Sequence, residues 1–184
     1  MRSLNWQNIQ STSDGGFTPL PAGPYVARIT EMTDNPTREY VEVVFDIAEG
    51  EHAGYYSDEW GKSHPYAHHF FLSYKQTALG MLKGRLEAIE KSNPGFDPFA
   101  AWDAGRTDLF VRRLVGINLQ EEEYRRNDGE TGTRLNVCQV VDVQLVRDGK
   151  IKARDKKTLD GGRKPSGGTS IRQADVYSGE IPFD

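Results

Sequence analysis

Apolar and polar side chains alternate along residues 25–32, where Tyr25, Ala27 and Ile29 interleave with Val26, Arg28 and Thr30. A period of two predicts a strand with one buried face. Asp34-Asn35-Pro36 predicts a turn. Residues 40–47 predict a second strand, with Val41, Val43, Phe45 and Ile47 on one face and Tyr40, Glu42, Val44 and Asp46 on the other. Glu49-Gly50-Glu51 and Gly54 break this pattern. A third strand is predicted over residues 68–74, and Phe45, Phe70 and Phe71 are assigned to the core. The period then changes. Leu79, Leu82, Leu86 and Ile89 recur at three- and four-residue spacing, which predicts a helix over residues 77–91 that Asn93-Pro94-Gly95 ends.

Phe96, Phe99, Trp102, Leu109 and Phe110 form an apolar connector, with a short helix predicted over residues 98–104. Alternation returns over residues 114–124, Asn127-Asp128-Gly129 gives a turn, and residues 135–146 predict a fifth strand closed by Asp148-Gly149. Three strands, a helix and two strands make the order of an OB-like five-stranded antiparallel barrel, its helix between strands three and four. The predicted domain covers residues 21–150. Residues 1–20 read as an N-terminal arm, pinned by Trp6, Phe17 and Leu20 and punctuated by Pro19, Pro21, Gly23 and Pro24. Residues 151–184 read as a flexible tail: basic and polar over 152–164, then Gly- and Ser-rich, with apolar side chains returning at Ile171, Val176, Tyr177, Ile181 and Phe183.

Composition narrows the class. The 184 residues are 36% hydrophobic and 27% charged, with 19 glycines and 9 prolines, which favours short strands and many turns. One cysteine, Cys138, excludes an internal disulfide. No apolar run suits a signal peptide or a membrane span, so a cytoplasmic protein of a bacterial cell is expected. The net charge of −4 places any nucleic-acid site on a local basic patch rather than on the whole molecule.

The candidate chemistry is that of binding. Tyr55, Tyr56, Trp60 and Tyr74, with Tyr66, are candidates to stack on bases; Lys62, Lys75, Arg112, Arg113, Arg125, Arg126 and Arg134 are candidates to meet phosphates. His64, His68 and His69, near His52 and Asp58, raise a metal reading. Adjacent histidines on an extended chain point to opposite faces and no cysteine pair supports zinc, so no metal or other cofactor is expected. Glu121-Glu122-Glu123 reads as a solvated strand end and Cys138 as packing. No phosphate-binding glycine loop is present, and no enzymatic activity is expected.

Two resemblances sharpen this. Ser178-Gly179-Glu180-Ile181-Pro182-Phe183-Asp184 resembles the Ile-Pro-Phe tip of bacterial single-stranded DNA-binding proteins. The resemblance implies that Ile181 and Phe183 anchor in a partner's pocket, that Pro182 stiffens the backbone between them, and that Glu180 and Asp184 meet basic residues around it. Residues 17–25 (Phe17-Thr18-Pro19-Leu20-Pro21-Ala22-Gly23-Pro24-Tyr25), residues 43–50, and Gly116-Ile117-Asn118-Leu119 with Glu121 to Tyr124 and Asp128-Gly129 are similar to a phage and prophage family associated with recombination genes. Together they imply a single-stranded DNA-binding protein that recruits a recombinase, polymerase or helicase. The alternatives are an OB-like protein-interaction module directed at a host enzyme, and a metal-dependent nuclease.

Overall fold

In a computed structural model that describes residues 20–57 and 67–159, the alternation of residues 40–47 becomes β2 (Tyr40–Ile47), with Val41, Val43, Phe45 and Ile47 buried. β1 (Gly23–Asn35) pairs antiparallel with it from Ala27↔Ile47 to Asn35↔Tyr40. β1 extends beyond the predicted strand at both ends. A bulge between Ile29 and Glu31 shifts the phase of its alternation, so burial passes from Ile29 to Met32. The hairpin turns through Glu39, a non-glycine residue in the left-handed region (φ 56).

β3 (His69–Ser73) pairs with β2. It buries Phe70 and Leu72. Phe71 corrects the core assignment: strict alternation sends it to the opposite face, where it is half-buried and meets Tyr40 edge-on at 4.9 Å. A 3-10 turn (Gln76–Ala78) leads into α1 (Leu79–Ser92), which buries Leu82, Leu86, Ala88 and Ile89. Leu79, at its start, stays 40% exposed. Asp97 caps α2 (Pro98–Asp103), accepting from the Phe99 and Ala100 N–H groups. A second 3-10 turn (Thr107–Phe110) buries Phe110.

β4 (Leu114–Arg125) and β5 (Thr131–Val141) form the second hairpin. The predicted fifth strand over residues 135–146 needs correction at both ends. Pairing begins at Thr131, across the turn. It stops at Val141, because the Asp142 carboxylate accepts from Gln144 N–H at 2.9 Å and caps a short helix, α3 (Val143–Arg147).

The five strands form one antiparallel sheet in the order β3-β2-β1-β4-β5. β3 and β5 are its edges and do not pair with each other among the described residues. α1 touches β3, β4 and β5. Arg85 donates to the Phe71 carbonyl, satisfying a group on the β3 edge. At the other end of α1, the Asn93 side chain accepts from Leu114 N–H (2.9 Å) and donates to Leu114 C=O (2.8 Å), holding the start of β4 as a ladder partner would. Ser92 Oγ accepts from Val143 N–H at 3.0 Å. The core lies between helix and sheet around Phe45, Phe110, Ile29, Leu72, Ile89 and Ile117.

The tail expected to leave the domain after residue 150 stays on it as far as Leu159. Residues 151–159 run beside β4, and Lys157 forms a parallel bridge with Glu122. β1 pairs with β4 only up to Gly23↔Leu119, so the side of β4 beyond Leu119 is open to this segment.

Candidate nucleic-acid interface

The loop after β2 carries two of the predicted stacking residues. Asp46, buried at the end of β2, organises it: one carboxylate oxygen accepts from Ile47 N–H (2.8 Å) and Tyr56 N–H (2.9 Å), and the other accepts from the Ser57 hydroxyl. This draws Tyr56 into the core, 5% exposed, stacked on His68 at 4.7 Å and edge-on to Phe45 at 5.8 Å. Burial, first, and the neighbouring Tyr55, Tyr25 and Asp46 hold its hydroxyl protonated far above the usual phenol range. Tyr56 is a core residue and is removed from the stacking set. Tyr55 is half-buried, its hydroxyl accepting from Leu20 N–H at 2.9 Å and its ring edge-on to Tyr56 at 5.0 Å. Trp60, Lys62, Tyr66 and His64 lie outside the described residues, as do Glu180, Ile181, Pro182, Phe183 and Asp184.

Tyr74, just after β3, lines an open cleft of about 240 Å³ with Met32, Val41, Trp102, Arg106 and Phe110. Its ring meets Trp102 edge-on at 6.0 Å, and its hydroxyl donates to Asp34 at 3.0 Å. Desolvation, then this hydrogen bond and the charges of Asp34 and Glu39, raise the phenol above its ordinary value. Two aromatic walls suit a planar ligand, but the rim does not suit phosphate. Asp34 contributes a carboxylate, and Arg106 is engaged by Asp108 through two 2.7 Å hydrogen bonds.

The predicted cations do not form one patch. Lys75 follows Tyr74 and is exposed. Arg112, exposed and in the left-handed region (φ 71), and Arg113, lying over the Phe96 ring at 4.3 Å, precede β4. Arg125 and Arg126 end it. The twelve residues of β4 span about 40 Å at about 3.3 Å each, so these groups stand at opposite ends of the strand.

At the far end, past the end of β1 pairing, β4 and β5 continue as a hairpin ribbon whose β4 edge is lined by residues 151–159. Glu122, Tyr124, Gly132 and Arg134 share one face, because Tyr124 pairs with Gly132 and Glu122 with Arg134. The absence of a side chain at Gly132 leaves room for its neighbours. A Cβ there would lie 2.8 Å from Tyr124 Cζ and 2.9 Å from Arg126 Nε. The Arg134 guanidinium lies over the Tyr124 ring at 5.4 Å. Arg134 also reaches Glu122 at 3.3 Å, whereas Arg125 and Arg126 make no ion pair among the described residues. Burial pushes the Glu122 pKa up, but Lys157, Arg134 and Asn136 outweigh it and leave the carboxylate below its ordinary range. The structure thus joins Arg126 and Arg134 of the predicted set through Tyr124, which sequence reasoning left out. The signal was present: the turn at Asn127-Asp128-Gly129 fixes the register that sets Tyr124 opposite Gly132. Trp102 was likewise read only as connector packing.

His69 Nδ1 lies 2.5 Å from Glu42 on the outer face, while His68 packs against Tyr56 and Phe45. Among the described residues, no three His, Cys, Asp or Glu side chains are grouped to hold a metal ion. Glu122 and Glu123, read as a solvated strand end, are instead engaged by Lys157 and Lys156. Cys138 is half-buried, its thiol donating to the Asn118 carbonyl at 3.2 Å, and burial pushes its pKa up. No described helix is long and apolar enough to cross a membrane. Comparison with known proteins finds no match among protein-family models or curated proteins.

Proposed function

We propose that this protein binds single-stranded DNA on an OB-like scaffold and uses the Ile181-Pro182-Phe183 tip of its tail to recruit a recombinase, polymerase or helicase. The scaffold reading rests on the strand order: closing β3 onto β5 beneath α1 would complete a five-stranded barrel. The observation that carries the functional reading is the ribbon face, where Tyr124 lies beside Arg126 and Arg134. A base stacks on an aromatic face without regard to sequence; here it takes the place of the Arg134 guanidinium over the Tyr124 ring, and Arg134 and Arg126 turn to the neighbouring phosphates. Such a site favours single strands, because a duplex keeps its bases stacked on each other. Arg125 and Arg126, free of carboxylate partners among the described residues, supply the electrostatic attraction that the net charge of the chain does not. The proposed protein performs no chemistry; it holds the strand and presents the tip to a partner on the same DNA.

Fluorescence anisotropy with labelled oligo(dT), duplex DNA and RNA at two salt concentrations tests this reading. Oligo(dT) is expected to bind more tightly than duplex, and more weakly as salt rises. Tyr124→Ala is expected to cost about 1–3 kcal/mol of binding if its ring carries a base. Equal affinity for duplex and single strand, or no binding by either, would overturn the reading.

A further inference from the structure

The segment beside β4 is held almost wholly by polar groups. Lys157 N–H donates to Glu121 C=O and Glu123 N–H donates to Lys157 C=O, both at 2.8 Å. The Asn118 and Gln120 side-chain amides donate to the carbonyls of Lys152 (2.9 Å) and Asp155 (2.6 Å). Lys156 pairs with Glu123 at 2.9 Å, and Lys157 pairs with Glu122. Lys152 to Leu159 are all exposed, and the one large apolar side chain among them, Leu159, remains 46% exposed. Apolar burial therefore contributes little to this attachment. Its strength lies in backbone bonds open to water and in surface ion pairs, which are individually weak and screened by salt.

We propose that the β4 edge from Gln120 to Tyr124 is an acidic strand-docking site, that residues 152–159 occupy it reversibly, and that a phosphate polyanion empties it by taking Lys156 and Lys157. The identity of that polyanion as single-stranded DNA rests on the function proposed above. Glu122 links the two surfaces, since it meets both Lys157 of the strap and Arg134 of the ribbon. A phosphate chain drawn to the ribbon competes for both cations at once and leaves Glu122 to Asn136, which donates to it at 3.1 Å. Release lengthens the tether of the tail by the strap residues and bares the Glu121 carbonyl and Glu123 N–H for another extended peptide.

The test is amide hydrogen exchange on the full-length protein, read at Glu123 and Lys157, with Ile117 in the central ladder as reference. Conditions are about 50 mM and about 1 M NaCl, then low salt with inorganic polyphosphate or with oligo(dT), whose binding is followed by anisotropy. Both amides are expected to exchange faster in high salt and with either polyanion, while Ile117 is unchanged. Lys156→Ala with Lys157→Ala is expected to speed exchange at both amides roughly 2- to 30-fold at low salt, the range two surface pairs allow. Slow exchange that persists in high salt and with polyphosphate would overturn the proposal. If salt and polyphosphate release the strap but oligo(dT) does not bind, the strap stands and the DNA reading fails. If oligo(dT) binds and both amides stay protected, the DNA reading stands and the strap fails.

Discussion

Replacing Asp46 tests how one buried carboxylate decides what the loop after β2 can do. Asp46 accepts two backbone N–H groups, from Ile47 and Tyr56, and the Ser57 hydroxyl. Asp46→Ala leaves two buried donors without their partner. Each orphaned donor costs about 1–3 kcal/mol, so the structural ceiling is about 6 kcal/mol. Ser57 is exposed, and water can reach this side of the loop as it relaxes. The expected loss is therefore near the lower end, about 2–3 kcal/mol. Asp46→Asn retains a neutral acceptor for both N–H groups and is expected to lose only about 1 kcal/mol. Urea unfolding followed by tryptophan fluorescence reads both values, as a lowered midpoint with an unchanged slope. Aspartate-to-alanine within about 0.5 kcal/mol of the parent would refute the argument that Asp46 holds Tyr56 in the core.

Other substitutions separate packing from binding. Gly116→Ala is expected to lower stability by about 1–2 kcal/mol: the new Cβ meets Val141 Cγ2 at 2.8 Å and the Val141 carbonyl at 2.9 Å, and that overpacking exceeds the backbone entropy gained; thermal unfolding measures it. Burial, then the neighbouring His69, lowers the His68 pKa, with Asp46 opposing. His68 therefore contributes stability above about pH 6.5, and that contribution is lost as pH falls from there through its folded value. The difference in unfolding free energy between the parent and His68→Phe, followed from pH 7.5 to 5, is expected to shrink or reverse as pH falls; a pH-independent difference would count against a buried neutral imidazole. Trp102→Ala is expected to change oligo(dT) affinity by no more than about 0.5 kcal/mol in anisotropy, because its cleft has a carboxylate and a neutralised arginine at the rim. A larger loss would move the site from ribbon to cleft.

Local pattern alone determined most of the elements. The alternation in residues 40–47 and the Leu82, Leu86 and Ile89 spacing of α1 survive folding because burying one face of a strand or helix is a local demand on sequence. So does the turn at residues 127–129, where side chains prescribe the backbone; the turn predicted at residues 34–36 falls instead at 36–39, because Asp34 and Asn35 pair with Val41 and Tyr40 and prolong β1. Tertiary structure decided which face each residue reached. The bulge after Ile29 reset the phase of β1, and alternation on β3 sent Phe71 to the outer surface although its composition matches that of Phe70. Asp46 turned Tyr56 from a candidate for DNA into a core residue through hydrogen bonds reaching ten and eleven residues along the chain. The ribbon face of Tyr124, Arg126 and Arg134 exists only in the register that the turn imposes. The strap depends on pairing residues thirty-five apart, Glu122 with Lys157, which no local period encodes. Sequence sets what each segment prefers to bury; only the assembled sheet sets which neighbours are there to bury it.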